Sequence, residues 1–290
     1  MNSNVVARVA LVALAVPSLY AAAIFLPFCN HLVLALVVFV FTAGSGYELA
    51  AMLSPSPTRT ARTRSAALSC LAPVAVYLRG LAGPPADALN SWLAPLGASV
   101  LVGLIVAALP LAFPGRSAGM PDAARKAGAE VLAILYPGAA ASAVVALLDV
   151  PGRGGLLVIW FTMFVFANDS LAWLVGITLG RRRGIFPVSP NKSLEGLLAG
   201  LAGSVAAGLL GPVIFPGLVP RAWGFLAFMG LACGFLVVAG DLFESALKRS
   251  ATIKDSGAAI PGRGGFLDST DSLFFTAPAF VAFVAYLGLL

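Results

Sequence analysis

Charge is what this chain has least of: Asp, Glu, Lys and Arg together make up 10% of its 290 residues, against about 25% in an ordinary soluble domain. Apolar residues reach 60%. That balance excludes a soluble protein and requires an integral membrane one. Histidine occurs once, at His31, so imidazole chemistry has a single candidate. Cysteine occurs at Cys29, Cys70 and Cys233, an odd number set in or beside apolar runs with no paired metal-ligand spacing. These read as packing residues. The two-residue alternation of barrel strands is missing as well, which leaves helices as the way to satisfy the backbone in lipid.

What fills the sequence is long apolar runs rich in Leu, Ala and Gly. A helix crosses a hydrocarbon core of about 30 Å with about 20 residues, and nine runs approach that length: 5–28, 32–53, 66–81, 92–113, 130–148, 156–179, 194–218, 223–247 and 273–290. The expected fold class is an all-α integral membrane protein, a polytopic bundle of about nine transmembrane helices. The cations test the count, because cytoplasmic loops are enriched in Lys and Arg. With the N-terminus inside, fifteen of the 18 fall on inner segments: Arg8; Arg59, Arg62 and Arg64; Arg116, Arg125 and Lys126; Arg181, Arg182, Arg183 and Lys192; Lys248, Arg249, Lys254 and Arg263. Arg79, Arg153 and Arg221 are left outside. The C-terminus is then outside as well.

Small residues at 21–23 after an apolar run also suit a cleaved signal peptide, but its basic region would be Arg8 alone and its loss would leave eight spans. The first span is expected to stay. The net charge of +6 is dealt out among inner loops that face anionic headgroups, as topology requires, and is no sign of a nucleic-acid partner. No internal repeat stands out. Two regions follow, an N-terminal multi-span membrane region at 1–154 and a C-terminal catalytic membrane region at 155–290, whose site faces the cytoplasm.

The scarce charge is concentrated at 240–272. Asp241 and Glu244 follow directly on the apolar run 224–239, where an ionisable residue costs roughly 2.5 kcal/mol or more and marks a functional site. Asp241, Glu244, Ser245 and Lys248 stand at i, i+3, i+4 and i+7, one helix face that must look into a bundle interior or a water-filled cavity. Glu244 and Lys248 alone read equally well as an ordinary i,i+4 ion pair. Asp241 stays unexplained by that reading. Further on, Pro261-Gly262-Arg263-Gly264-Gly265 leads to Asp268 and Asp271. Glycine amides beside an Arg can cradle phosphate, although alone such a segment reads as a turn. Two carboxylates just beyond it shift the balance, since Mg²⁺ is held by one or two carboxylates together with substrate phosphate oxygens.

Upstream, Asn168, Asp169 and Ser170 interrupt an apolar helix roughly 16 Å below the inner loop, at 1.5 Å per residue, and should line a cavity. The segment Ser189-Pro190-Asn191-Lys192-Ser193-Leu194-Glu195-Gly196 then opens a span. Ser189 suits an N-cap and Pro190 the first helical position, which predicts free amides beside Lys192. A helix start of that kind can hold an anion, or it can be a capped start and nothing more.

The order Ser189-Pro-Asn-Lys-Ser-x-Glu-Gly196, Gly240-Asp-Leu-x-Glu-Ser245, Lys248-Arg249, Lys254-Asp255-x-Gly257, Pro261-Gly-x-Gly-Gly265, Asp268 and Asp271, with Asp169-Ser170 ahead of it, resembles the phosphatidate cytidylyltransferase (CDP-diacylglycerol synthase) family. The matching segment, 169–272, is about a third of the chain; the N-terminal half is similar only as a hydrophobic multi-span region. The resemblance implies transfer of CMP from CTP to phosphatidic acid with Mg²⁺, at the cytoplasmic face of a bacterial-type inner membrane. It makes Asp241, Lys248, Arg249, Lys254 and Asp268 the catalytic set, with the metal on Asp241, Asp268 and Asp271. Lys248, Arg249, Lys254 and Gly262, Gly264 and Gly265 would hold CTP phosphates. Ser189, Lys192 and Ser193 would hold a phosphate of either substrate. Asp169, Ser170, Glu195, Glu244, Ser245, Asp255 and Arg263 complete the substrate-binding set. Room is left for a second, monovalent cation and for a homodimer. Two positions depart from the family pattern, which often has His where Arg263 stands and Arg where Ser269 stands.

The missing histidine is tolerable on physical grounds. His31 is expected on the outer side, but the attacking group is a phosphate monoester whose second pKa is about 6, so no base is needed at pH 7. Alignment and neutralisation of charge carry the catalysis. Other readings are a CTP-dependent lipid kinase, a cytidylyltransferase for another phospholipid, or an ion-coupled transporter using Asp169 and Asp241. The last has no need of a long glycine-rich loop with clustered Lys and Asp.

Overall fold

The computed structural model describes residues 14, 16–53, 58–83, 88–112 and 120–290. Arg8, Arg116 and the first part of the expected span 5–28 lie outside them. Ten α-helices follow one another: α1 (Val16–Phe25), α2 (Phe28–Leu53), α3 (Arg59–Leu81), α4 (Ala88–Ala112), α5 (Met120–Ala133), α6 (Ala140–Leu148), α7 (Gly154–Thr178), α8 (Leu194–Ile214), α9 (Trp223–Ser250) and α10 (Leu267–Tyr286). A wider π-helical turn, Ile134–Ala139, joins α5 to α6 and contains Pro137, which has no N–H to donate to the ladder. Among the described residues the only extended pairing is two isolated bridges, Arg183 with Ser193 and Ile260 with Gly264.

Among the described residues six helical segments are long and apolar enough to cross a membrane: Phe28–Leu53, Trp92–Leu109, Ala123–Leu148, Gly154–Thr178, Leu194–Ile214 and Trp223–Ser250. Large apolar side chains such as Leu101 and Ile105 on α4, Leu171 and Leu174 on α7 and Phe228 and Phe235 on α9 point outward. A soluble protein would bury them; this pattern belongs to a polytopic membrane protein.

Lipid tails are as apolar as leucine, so helices in a bilayer associate through close packing and hydrogen bonds, and small residues let backbones approach. Gly200 on α8 is such a contact: a Cβ there would stand 2.7 Å from Asn168 Oδ1 on α7. Gly240 on α9 is another, where a Cβ would stand 2.7 Å from the Asp271 carbonyl oxygen of α10. Asn168 is itself buried and donates to Ser204 Oγ of α8 at 3.0 Å and to the Gly234 carbonyl of α9 at 3.4 Å. It fastens three helices. Trp160 and Phe164 of α7 meet Phe280 of α10 edge-on, with ring centroids 5.3 and 5.5 Å apart, and Trp160 Nε1 donates to the Ala207 carbonyl at 3.2 Å. The result is a tight group of α7, α8, α9 and α10 whose polar ends meet on one side.

Candidate active site

The C-terminal part of α7, the start of α8, the last third of α9 and the first turns of α10 enclose a cavity of about 470 Å³. Asn168, Asp169, Lys192, Ser193, Asp241, Arg263, Asp268 and Asp271 all line it. Residues separated by more than a hundred positions are thus brought to one place. Lys192 Nζ forms an ion pair with the Asp241 carboxylate across the cavity. Asp241 remains 37% exposed and Lys192 32%, so both can also reach a ligand. Asp271 is buried, and its Oδ1 accepts the Ser272 N–H at 2.7 Å.

The loop that presents Lys192 is built from its own side chains. Arg183 donates to the Asn191 carbonyl at 2.8 Å and to the Gly176 carbonyl at 2.7 Å, and Glu195 accepts the N–H groups of Arg181 and Arg182 at 3.1 and 3.2 Å. The helix start differs from the sequence expectation. Ser193, not Ser189, is the N-cap, with its Oγ accepting the Gly196 N–H at 3.1 Å. Ser189 and Pro190 lie in a preceding turn, where the Ser189 carbonyl accepts the Lys192 N–H at 3.2 Å. The bridge from Arg183 to Ser193 keeps the chain extended until Leu194. Lys192 therefore stands just ahead of the helix N-terminus, whose first amides are already engaged, the Leu194 N–H with the Arg182 carbonyl at 2.9 Å and the Gly196 N–H with Ser193 Oγ.

Behind Asp241, on the face formed with Glu244 and Lys248, lies a second charged layer. Lys248 pairs with Glu244, which is only 1% exposed, and reaches Asp268 Oδ1 at 2.6 Å. The other Asp268 oxygen accepts from Ser256 N at 2.8 Å, Ser256 Oγ at 2.9 Å and Gly265 N at 2.8 Å. The Lys248 ammonium and these donors together fix the Asp268 carboxylate in place. The glycine segment is shaped around that carboxylate. Gly264 has φ +112°, and a Cβ on it would come within 2.6 Å of Asp268 Oδ2.

Several expected site residues stand away from the cavity wall. Arg249 is exposed and donates to the Ile253 carbonyl at 3.2 Å, closing its own helix end. Lys254 and Asp255 are exposed on the following loop, and Ser170 is exposed on α7. Glu244, Lys248, Gly264 and Gly265 support the site through Asp268 without lining it, and Ser245 and Gly262 do not line it either. One residue was missed by sequence reasoning: Glu48 of α2, 7% exposed. It accepts from Ser256 Oγ at 2.7 Å and from the N–H groups of Phe266 and Leu267 at 2.9 Å each. Glu48 thus caps α10 and shares Ser256 with Asp268. A lone carboxylate inside the run 32–53 was the available signal, by the same cost argument that singled out Asp241.

Fold and cavity together define a polytopic membrane protein with carboxylates and cations gathered at the ends of apolar helices. A model of the cytidylyltransferase family matches residues 6–287, and the chain belongs to that family. It is 44% identical over 123 residues to a phosphatidate cytidylyltransferase of Synechocystis, covering 42% of this chain and 41% of the relative. It is 40% identical over 161 residues to a phosphatidate cytidylyltransferase of Helicobacter pylori, covering 54% and 57%. An uncharacterized protein of Escherichia coli, YnbB, is 42% identical over 134 residues, covering 46% and 44%. The chain spans about half the length of the curated relatives it matches.

Proposed function

We propose that this protein transfers CMP from CTP to phosphatidic acid, forming CDP-diacylglycerol and pyrophosphate. The observation that carries the reading is the Lys192–Asp241 pair in a cavity shared with Asp169, Asp271 and Arg263 at the ends of apolar helices. A lipid phosphate reaches such a place while its acyl chains stay in hydrocarbon. A phosphate oxygen of the lipid attacks the α-phosphorus of CTP, and the bond from that phosphorus to the bridging oxygen of the β-phosphate breaks as pyrophosphate leaves. Lys192 and Arg263 bind and orient phosphate oxygens. The lipid phosphate is ionised at neutral pH, so no base takes part. His31 suits none: it packs against Gly155, about 21 Å along α7 from Asp169 at 1.5 Å per residue.

A divalent cation fits the donors present. Among the described residues no three His, Cys, Asp or Glu side chains are grouped as a ready-made metal cage, but Mg²⁺ characteristically uses one or two carboxylates with phosphate oxygens and water. Hard carboxylate oxygens without Cys or His suit Mg²⁺. Asp241 and Asp271 present such oxygens on the cavity, whereas the Asp268 oxygens are taken up by Lys248, Ser256 and Gly265. When bound, the ion would neutralise charge on the transferring phosphoryl group. Lys248 and Glu244 hold Asp268 and the glycine segment in place, while Lys254 and Arg249 at the loop outside attract the triphosphate.

The basic loops set the orientation. With α1, α3 and α10 read as further spans, nine helices put the loop 181–188 and the cavity on the cytoplasmic side, where CTP is found. In cells expressing an Ile185→Cys variant with Cys29 replaced by Ala, a membrane-impermeant maleimide should label the introduced thiol only after permeabilisation. Labelling of intact cells would reverse the topology.

The reaction itself has a simple test. Detergent-solubilised protein should release pyrophosphate only when CTP, phosphatidic acid and a divalent cation are all present. Chelator should stop release, and added Mg²⁺ should restore it. Release indifferent to phosphatidic acid would refute the assignment in favour of a nucleotidase.

A further inference from the structure

A second cavity, of about 420 Å³, runs beside the first and is walled by α1, α2, α7 and α10. Its walls are apolar, with Val38 and Val158 facing it from α2 and α7 and Phe274 from α10. The few hydroxyls on it are already engaged within the protein. Tyr20 and Thr162 bond each other at 3.0 Å, Ser269 donates to the Gly265 carbonyl at 3.1 Å, and Thr270 donates to the Phe266 carbonyl at 2.9 Å. Arg263 is different. Its side chain lines both this cavity and the charged one, and among the described residues it forms no ion pair. One permanent cation therefore stands where a polar chamber meets an apolar one. An occupant that suits both is an anionic head on a hydrocarbon tail.

We propose that the second cavity takes one acyl chain of the lipid phosphate substrate, whose phosphate lies on Arg263 between the two chambers. This deepens the cytidylyltransferase reading and rests on it for the identity of the lipid. Arg263 and Ser269 both face this cavity. At position 269 a short hydroxyl leaves the mouth open, and at 263 a cation supplies the charge. A chain threaded between α2 and α7 is held by the protein rather than by bilayer, so acyl length should matter to binding.

The test is photolabelling of the purified full-length chain with phosphatidic acid carrying a diazirine at the end of one acyl chain. Adducts are expected on cavity-facing residues of α2 and α7, and the matching diacylglycerol probe, which lacks the phosphate, should label them about tenfold less, the ratio expected for loss of one charge-assisted contact. Val158→Phe, and independently Val38→Phe in case the first does not fold, should fill the cavity. Each should remove the adducts and raise KM for long-chain phosphatidic acid about tenfold, a loss that burial of two methylenes suffices to produce. KM for CTP and turnover of dihexanoyl phosphatidic acid should stay as in the wild type. Adducts confined to outward residues such as Phe228 and Phe235, equal labelling by diacylglycerol, or the same effect on both chain lengths would overturn the proposal. Cavity labelling without any CDP-diacylglycerol formation would refute the cytidylyltransferase reading and leave a lipid phosphate site.

Discussion

Asp241→Asn should give a folded protein whose kcat for CDP-diacylglycerol formation is lower than that of the wild type by about a thousandfold, the upper range for loss of one electrostatic partner of a transition state. The substitution keeps the shape and removes the charge. Asp241 is the counter-ion of Lys192 and presents a carboxylate to the cavity proposed to receive the phosphates, so its loss both frees the lysine and removes a proposed metal oxygen. Stability should change little, because the side chain is 37% exposed and packs no core. A fall in kcat with little change in KM for CTP would mark an interaction made in the transition state. Circular dichroism and size-exclusion chromatography would check the fold. Wild-type turnover at saturating Mg²⁺ would remove Asp241 from the reaction centre.

Glu48→Ala should have the largest effect on stability. The carboxylate takes three buried donors, Ser256 Oγ at 2.7 Å and the Phe266 and Leu267 N–H groups at 2.9 Å. Each donor left unpaired costs about 1–3 kcal/mol, so the total is at least about 3 kcal/mol, or about 5 °C in Tm for a chain of this size. Activity should fall as well, because Ser256 also holds Asp268 at 2.9 Å and the start of α10 carries Asp271. Glu48→Gln keeps one acceptor oxygen and should lose about half as much. Thermal unfolding in detergent, followed alongside turnover, distinguishes the cases. An unchanged Tm for Glu48→Ala would deny that α2 anchors the site.

The reach of the sequence can be judged residue by residue. Apolar runs and scarce charge made the all-helical membrane class legible, because lipid leaves few ways to satisfy a backbone. The depth of Asp169 and Asp241 in apolar helices marked both, and both line the cavity. The N-cap was misplaced by four residues, since Ser189 and Ser193 are equally good caps by composition. The bridge to Arg183, a tertiary feature, selects Ser193. Glu48 was passed over because its partners lie more than 200 positions away, and no local pattern encodes such a pairing. The family resemblance grouped Arg249 and Lys254 with Lys248, yet Arg249 closes its own helix end, Lys254 lies on the loop beyond it, and of the three only Lys248 bonds Asp268.

The central claim is that the α-phosphorus of CTP ends on the lipid. Purified protein given phosphatidic acid and Mg²⁺ should move label from [α-³²P]CTP into a chloroform-soluble product, with label from [γ-³²P]CTP appearing only in pyrophosphate. Lipid labelled from the γ position, with CDP left in water, would contradict the account and make the protein a lipid kinase.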